Sequence, residues 1–276
     1  MRSLACALAI GGLDPGGGAG IVADLRAFAA ARAFGCAVVA VSTVQSTAGL
    51  VRARAVPARE VVAQAEEVII HQRVRAIKIG ALGDRANVSA VGRLLSRHPE
   101  IPAVVDTPML ATRGRRRLLA VDAISALRRD LLPYATLATL NLAEVEAVLG
   151  VAVRTVDDAR DAARALMRFG ARAVLVKGGH MAGTLAVDVL AVDRALIELR
   201  ARRLSLPPMH GTGCTLASLV AGRLAYGSHS TPAQARRRGR PGVDAIVAAV
   251  RWAKRAHHRA LTRVANIGEG SQVIAF

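Results

Sequence analysis

The run Leu4-Ala5-Cys6-Ala7-Leu8-Ala9-Ile10 passes directly into Gly11-Gly12-Leu13-Asp14-Pro15-Gly16-Gly17-Gly18-Ala19-Gly20, and then into a helical pattern that spans 19–33. An unbroken apolar run of this length reads as a strand covered on both faces. The glycines after it mark a turn, and the apolar spacing beyond them is that of a helix. The same unit recurs along the chain. Strand-length apolar runs at 36–44, 74–79, 102–106, 135–140 and 172–177 alternate with helical patterns at 58–71, 84–97, 121–131, 142–149 and 156–169. Asp157 and Asp158 start the last of these helices and Gly170 stops it. This alternation predicts an α/β fold built of βαβ units around a mostly parallel sheet. Between Thr184 and Leu204 the pattern changes to an antiparallel hairpin turning at Val192-Asp193-Arg194, and helices return at 213–226 and 243–264. No repeat or flexible linker divides the chain, so residues 1–276 read as one domain with a basic loop at about 230–242.

Composition narrows the function. The 276 residues are 53% hydrophobic but only 3% aromatic, which builds a core from Ala, Val, Leu and Ile. A net charge of +18 invites a nucleic-acid partner. Its distribution argues otherwise: the lysines are Lys78, Lys177 and Lys254 alone, the arginines are scattered over helix faces, and aromatic side chains for base stacking are scarce. Arg236-Arg237-Arg238-Gly239-Arg240 and Arg115-Arg116-Arg117 are local exceptions that read as solvated loops. Cys6, Cys36 and Cys214 are far apart, which suits neither a zinc site nor a disulfide framework and fits a reducing cytoplasm. No apolar run reaches membrane-spanning length, and the first apolar run flows into a glycine turn as a buried strand does, unlike a signal peptide.

Two glycine clusters carry the chemistry. His210-Gly211-Thr212-Gly213-Cys214-Thr215-Leu216-Ala217-Ser218 is a glycine-broken turn opening a small-residue helix. Free N–H groups and the dipole at a helix start hold an anion without a lysine, with Cys214 at the rim. The same segment also fits a plain tight turn with Cys214 as a small core residue. Gly11 to Gly20 follows a strand end, where open α/β sheets bind ligands, but it is neither a dinucleotide fingerprint nor a P-loop. Asn141 and Glu144, three apart at a helix start, share one face; they can reach a Mg²⁺ or its water shell, or cap the helix.

Taken in order, these segments resemble the hydroxymethylpyrimidine and phosphomethylpyrimidine kinases of thiamine biosynthesis, within the ribokinase-like superfamily. The matching elements are Gly12 to Ile21 with Ala23-Asp24-Leu25, Val44-Gln45-Ser46-Thr47, Lys78-Ile79-Gly80, Val105-Asp106-Thr107, Asn141-Leu142-Ala143-Glu144, Val176-Lys177-Gly178-Gly179-His180 and His210 to Leu216. The resemblance implies the three-layer α/β/α form of this fold, and ATP-dependent phosphorylation of 4-amino-5-hydroxymethyl-2-methylpyrimidine and then of its monophosphate, with Mg²⁺, in a cytoplasmic homodimer. It implies that Gly211, Thr212, Gly213 and Cys214 form the transfer site, with Cys214 accepting the hydroxyl proton. A helix N-terminus is expected to lower that thiol from its usual pKa of about 8.5. Gly12, Asp24, Gln45, Ala81 and Pro108 are then expected around the pyrimidine. Asn141, Lys177 and Asp106 are expected around the nucleotide, and Glu144 with Asn141 around the metal. A pyridoxal or pyridoxine kinase and a non-catalytic ligand-binding relative are the alternatives.

The chain departs from the family's pattern at Leu13, Gly16, Ala81, Pro108 and Leu140. It also lacks the polar residues usual at Leu206-Pro207-Pro208-Met209 and the histidine-bearing motif usual near Gly268-Glu269-Gly270-Ser271. These departures predict retained transfer chemistry with altered substrate preference or reduced activity.

Overall fold

The computed structural model of the chain describes residues 4–111, 117–179, 181, 183–206, 209–227 and 240–276. Arg115-Arg116, His180, Pro207-Pro208 and Arg236-Arg237-Arg238-Gly239 lie outside the described residues. In chain order the elements are β1 (Cys6–Leu13), α1 (Gly20–Ala30), β2 (Phe34–Ser46), β3 (Gly49–Ala55), α2 (Ala58–His71), β4 (Val74–Ile79), α3 (Arg85–Arg97), β5 (Ala103–Val105) and α4 (Ala123–Ala126). Then come β6 (Leu137–Asn141), α5 (Leu142–Leu149), α6 (Val156–Met167), β7 (Ala173–Lys177), β8 (Leu185–Val192), β9 (Ala195–Arg202), β10 (Met209–His210), α7 (Thr212–Gly227), α8 (Val243–Leu261), β11 (Val264–Ala265) and β12 (Gln272–Ile274).

The main sheet runs β3-β2-β1-β4-β5-β6-β7-β8-β9. The strands from β2 through β7 pair in parallel, and antiparallel pairs close both edges, β2 with β3 and the β7-β8-β9 meander. The pleat sorts β1 between two cores. Leu8 and Ile10 face α2 through α6, while Ala7 and Ala9 face α1, α7 and α8. Alanine on the second face lets α1 and α7 lie close to the sheet, which brings their N-termini together above the end of β1.

The ribokinase-like α/β/α architecture read from the sequence holds, and the hairpin turns where expected, with Asp193 in the left-handed region at φ 51°. Three segments differ. Strand 36–44 is longer and folds back on β3, which was not anticipated. The helix expected over 121–131 has one α-helical stretch, Ala123–Ala126, then a π-helical turn to Leu131 and a 3-10 turn at Leu132–Tyr134. There the backbone of Asp130 crosses Gly92 so closely that a Cβ at Gly92 would stand 1.9 Å from its carbonyl oxygen. The helix expected to reach 264 stops at Leu261, because Val264 and Ala265 pair with β12 in a second sheet ordered β10-β12-β11.

Asn87 fastens the first turn of α3 to the β2-β3 edge. Fully buried, its Nδ2 donates to Leu82 O at 2.9 Å, Val56 O at 3.1 Å and Ala40 O at 3.4 Å. Asn87→Ala removes these bonds and leaves the Val56 carbonyl without this donor, and a loss of about 1–3 kcal/mol is expected as a lower urea midpoint with unchanged m-value.

Candidate active site

A cavity of about 680 Å³ opens at the C-terminal ends of the parallel strands. All the residues singled out from the sequence line it: Gly12, Asp24, Gln45, Ala81 and Pro108 with Asp106, Asn141, Glu144, Lys177 and Gly211 through Cys214. Asp14, Lys78, Asp188, His210, Lys254 and His257 line it too and were given no role from the sequence. One signal pointed to some of them: every lysine of this arginine-rich chain lies at the cavity.

The two glycine clusters are packed together. Gly211 takes φ +79°, and a Cβ there would stand 2.0 Å from Gly18 O. Asp14 closes the first loop by accepting from Gly16 N at 2.9 Å and Ala19 N at 2.9 Å. Its Oδ2 also lies 2.9 Å from His210 Nε2, which in turn lies 2.9 Å from the Gln45 amide nitrogen. Burial pushes the Asp14 carboxyl up, but His210 and the two N–H groups outweigh it and hold it below the usual range. Gln45, at the end of β2, thereby reaches β10, just before α7.

Near Gly213, Asp106 accepts from Thr139 Oγ1 at 2.6 Å and from Lys177 Nζ at 2.5 Å. Burial works against its charge, yet Lys177 and Lys78 keep Asp106 ionised, and Lys177 holds its own proton more firmly in return. Asn141 and Glu144 form a capping box at the start of α5: Glu144 N donates to Asn141 Oδ1 at 2.9 Å and Asn141 N to Glu144 Oε2 at 2.7 Å. Lys177 Nζ stands 3.9 Å from the same Glu144 oxygen, between two carboxylates. Asp188 on β8 accepts from Gly178 N at 3.0 Å and from Lys254 Nζ, joining the β7 corner to α8.

Asp24 is fully buried, with Lys78 Nζ 3.0 Å from both carboxylate oxygens and Ser218 Oγ donating to one of them at 2.7 Å, so it anchors a buried lysine at the cavity. One expectation is corrected. Cys214, partly exposed on the cavity wall, is pushed up to about 11 by burial, against the pull of Lys78. The helix start lowers a thiol only where the desolvation cost is smaller.

Burial raises Glu144 to about 7, although Lys177 opposes the shift. A carboxyl raised on folding costs stability as pH rises from the unfolded value to the folded one. Glu144→Gln keeps a carbonyl for the cap. Its unfolding free energy is expected to match the parent near pH 4, to gain between about pH 4.5 and 7, and to stay about 1–3 kcal/mol higher above that in urea titrations.

Among the described residues no group of three His, Cys, Asp or Glu could hold a metal by itself. The oxygen donors of Glu144 and Asn141 suit Mg²⁺ in chemistry, as partners of an ion whose other ligands are water and phosphate. No helix among the described residues is long and apolar enough to cross a membrane.

Paired helix starts at the mouth of such a sheet, with lysines beside them, mark a small-molecule kinase of ribokinase-like architecture. The family model described as phosphomethylpyrimidine kinase matches residues 14–275. The chain belongs to that family. It is 44% identical over 225 residues to the hydroxymethylpyrimidine/phosphomethylpyrimidine kinase of Rhizobium meliloti (strain 1021), covering 81% of this chain and 84% of the relative. Among solved structures, the ADP complex of Bacillus subtilis pyridoxal kinase superposes with TM-score 0.84 at 26% identity, covering 99% of this chain and 97% of the other. The phosphomethylpyrimidine kinase of Clostridium difficile 630 does so with TM-score 0.72 at 28% identity, covering 91% and 98%.

Proposed function

We propose that this chain, one ribokinase-like domain in a cytoplasmic homodimer, transfers the γ-phosphoryl group of ATP to the hydroxymethyl group of 4-amino-5-hydroxymethyl-2-methylpyrimidine, and then to the resulting monophosphate. One observation carries the reading. One cavity is lined both by Gly12, Gln45, Ala81 and Pro108 and by Asp106, Asn141, Glu144 and Lys177, together with Gly211 through Cys214 at the start of α7. A flat, uncharged ring with amide-type donors suits the first set, and a polyphosphate suits the second.

In this reading Gln45 orients the ring through its amide, and the N–H groups of Thr212, Gly213 and Cys214 receive the transferring phosphoryl oxygens. Lys177 turns its ammonium from Asp106 to the nucleotide phosphates. Glu144 and Asn141 would hold Mg²⁺, which would supply neutralisation of phosphate charge. The substrate O–H breaks, its proton passing to the Cys214 thiolate; its oxygen bonds to the γ-phosphorus as the bond to the β-phosphate oxygen breaks and ADP leaves. Positioning and charge supply most of the effect, since the transition state is loose.

The similarity to a pyridoxal kinase structure supports a second reading with pyridoxal as acceptor. Side-by-side turnover of the two acceptors with Mg²⁺-ATP separates them. The expected result is a higher kcat/KM on the pyrimidine; a clear preference for pyridoxal sinks the first reading, and no ATP consumption with either sinks both. Light scattering after size exclusion checks the dimer.

A further inference from the structure

Cys214 and Ser218 are four residues apart on α7 and therefore lie on one face, a single turn apart. The same spacing separates Gly20 from Asp24 on α1. The two helices meet along this line in two rungs. The Gly20 backbone is hydrogen-bonded to the Cys214 sulfur, and Ser218 Oγ donates to Asp24 Oδ1 at 2.7 Å. From the sheet, β4 inserts Lys78 with its Nζ 3.0 Å from each Asp24 oxygen. Lys78, Asp24 and Ser218 are all fully buried. Gly80, on the cavity floor, leaves room for the ammonium: a Cβ there would stand 3.0 Å from Nζ.

Apolar residues of equal volume stabilise an interior as well as a buried ion pair does, so stability alone gives no reason for this one. Its place in the fold gives one. We propose that Lys78 is a positioning residue, held by Asp24 and Ser218 one helical turn below Cys214, whose charge favours the thiolate as the substrate hydroxyl releases its proton. This rests on the kinase reading and names what makes its base usable. Lys78 from β4 and Lys177 from β7 favour the thiolate; Asp24 from α1 and Asp106, beyond β5, oppose it.

The test is alkylation of the free protein by iodoacetamide at pH 9, with Cys214 resolved from Cys6 and Cys36 by peptide mass spectrometry. Lys78→Met is expected to slow Cys214 alkylation at least about fivefold, and Asp24→Asn to speed it about twofold or more. The double variant, with no buried charge to strand, falls between Lys78→Met and the parent. A purely structural role moves both single variants in the same direction, and that result overturns the inference. Should circular dichroism show either single variant unfolded, the double decides: alkylation as fast as in the parent, or faster, overturns the inference. No turnover is needed for this readout. Ordered alkylation rates without ATP consumption would sink the kinase reading alone, and ATP consumption with unordered rates would sink this inference alone.

Discussion

Replacing Cys214 by alanine is expected to lower kcat by about 10²–10⁴-fold, the usual worth of a positioned general base, while the fold survives. The side chain lies at the cavity wall, so little packing is lost with the sulfur. The sign of the pH dependence provides a second check. Because the thiol sits near 11 in the free protein, the thiolate fraction grows about tenfold per pH unit from 7 to 10. The parent's kcat is expected to climb over that range until product release limits it, and the alanine variant to stay flat. Steady-state rates at saturating substrate measure both. A parent profile that is level from pH 7 upward would remove Cys214 from the proton's path.

Gly211→Ala is expected to be more damaging than any change of side-chain chemistry nearby. The residue is left-handed at φ +79°, and the new Cβ would press on the backbone of Gly18, 2.0 Å from its oxygen and 2.9 Å from its carbonyl carbon. Neither backbone can yield without moving the other loop, since Asp14 fastens the first and β10 pairs the second to β12. A loss of about 3–5 kcal/mol in urea unfolding is expected, with activity falling even where the protein remains folded. Gly213→Ala, two residues on, is the control. Its Cβ would meet side-chain ends alone, the Lys177 ammonium at 3.3 Å and an Asp106 oxygen at 4.0 Å. That variant is expected to keep its stability within about 1 kcal/mol and to raise KM for ATP.

The contrast between neighbouring glycines shows where sequence reading reaches its limit. Both belong to one motif, and the residue types alone do not say which is held against another backbone. The β2-β3 hairpin was missed for a related reason. Gly49–Ala55 reads GLVRARA, with two arginines among its seven residues and no strong turn signal before it, and it is a strand because β2 offers it an edge. The strands of the second sheet are two or three residues long, too short for any periodicity; they exist because the tail meets Met209 and His210. The same contact brings Gly270 against the backbone of Thr47 and Val273 beside Gly18, so a segment that reads as a divergent tail packs against the first glycine loop and the end of β2.

The amino-acid sequence by itself determined the strand and helix alternation, the hairpin at Asp193, the two glycine turns and the family, because each rests on spacing within a few residues or on ordered motifs. The tertiary structure alone decided the electrostatics of the site. Asp24 meets Lys78 across 54 residues and Ser218 across 194, and those contacts make it the anchor of a buried charge. Burial likewise reverses the expected shift of Cys214, since the cost of desolvating a thiolate depends on what surrounds it in three dimensions.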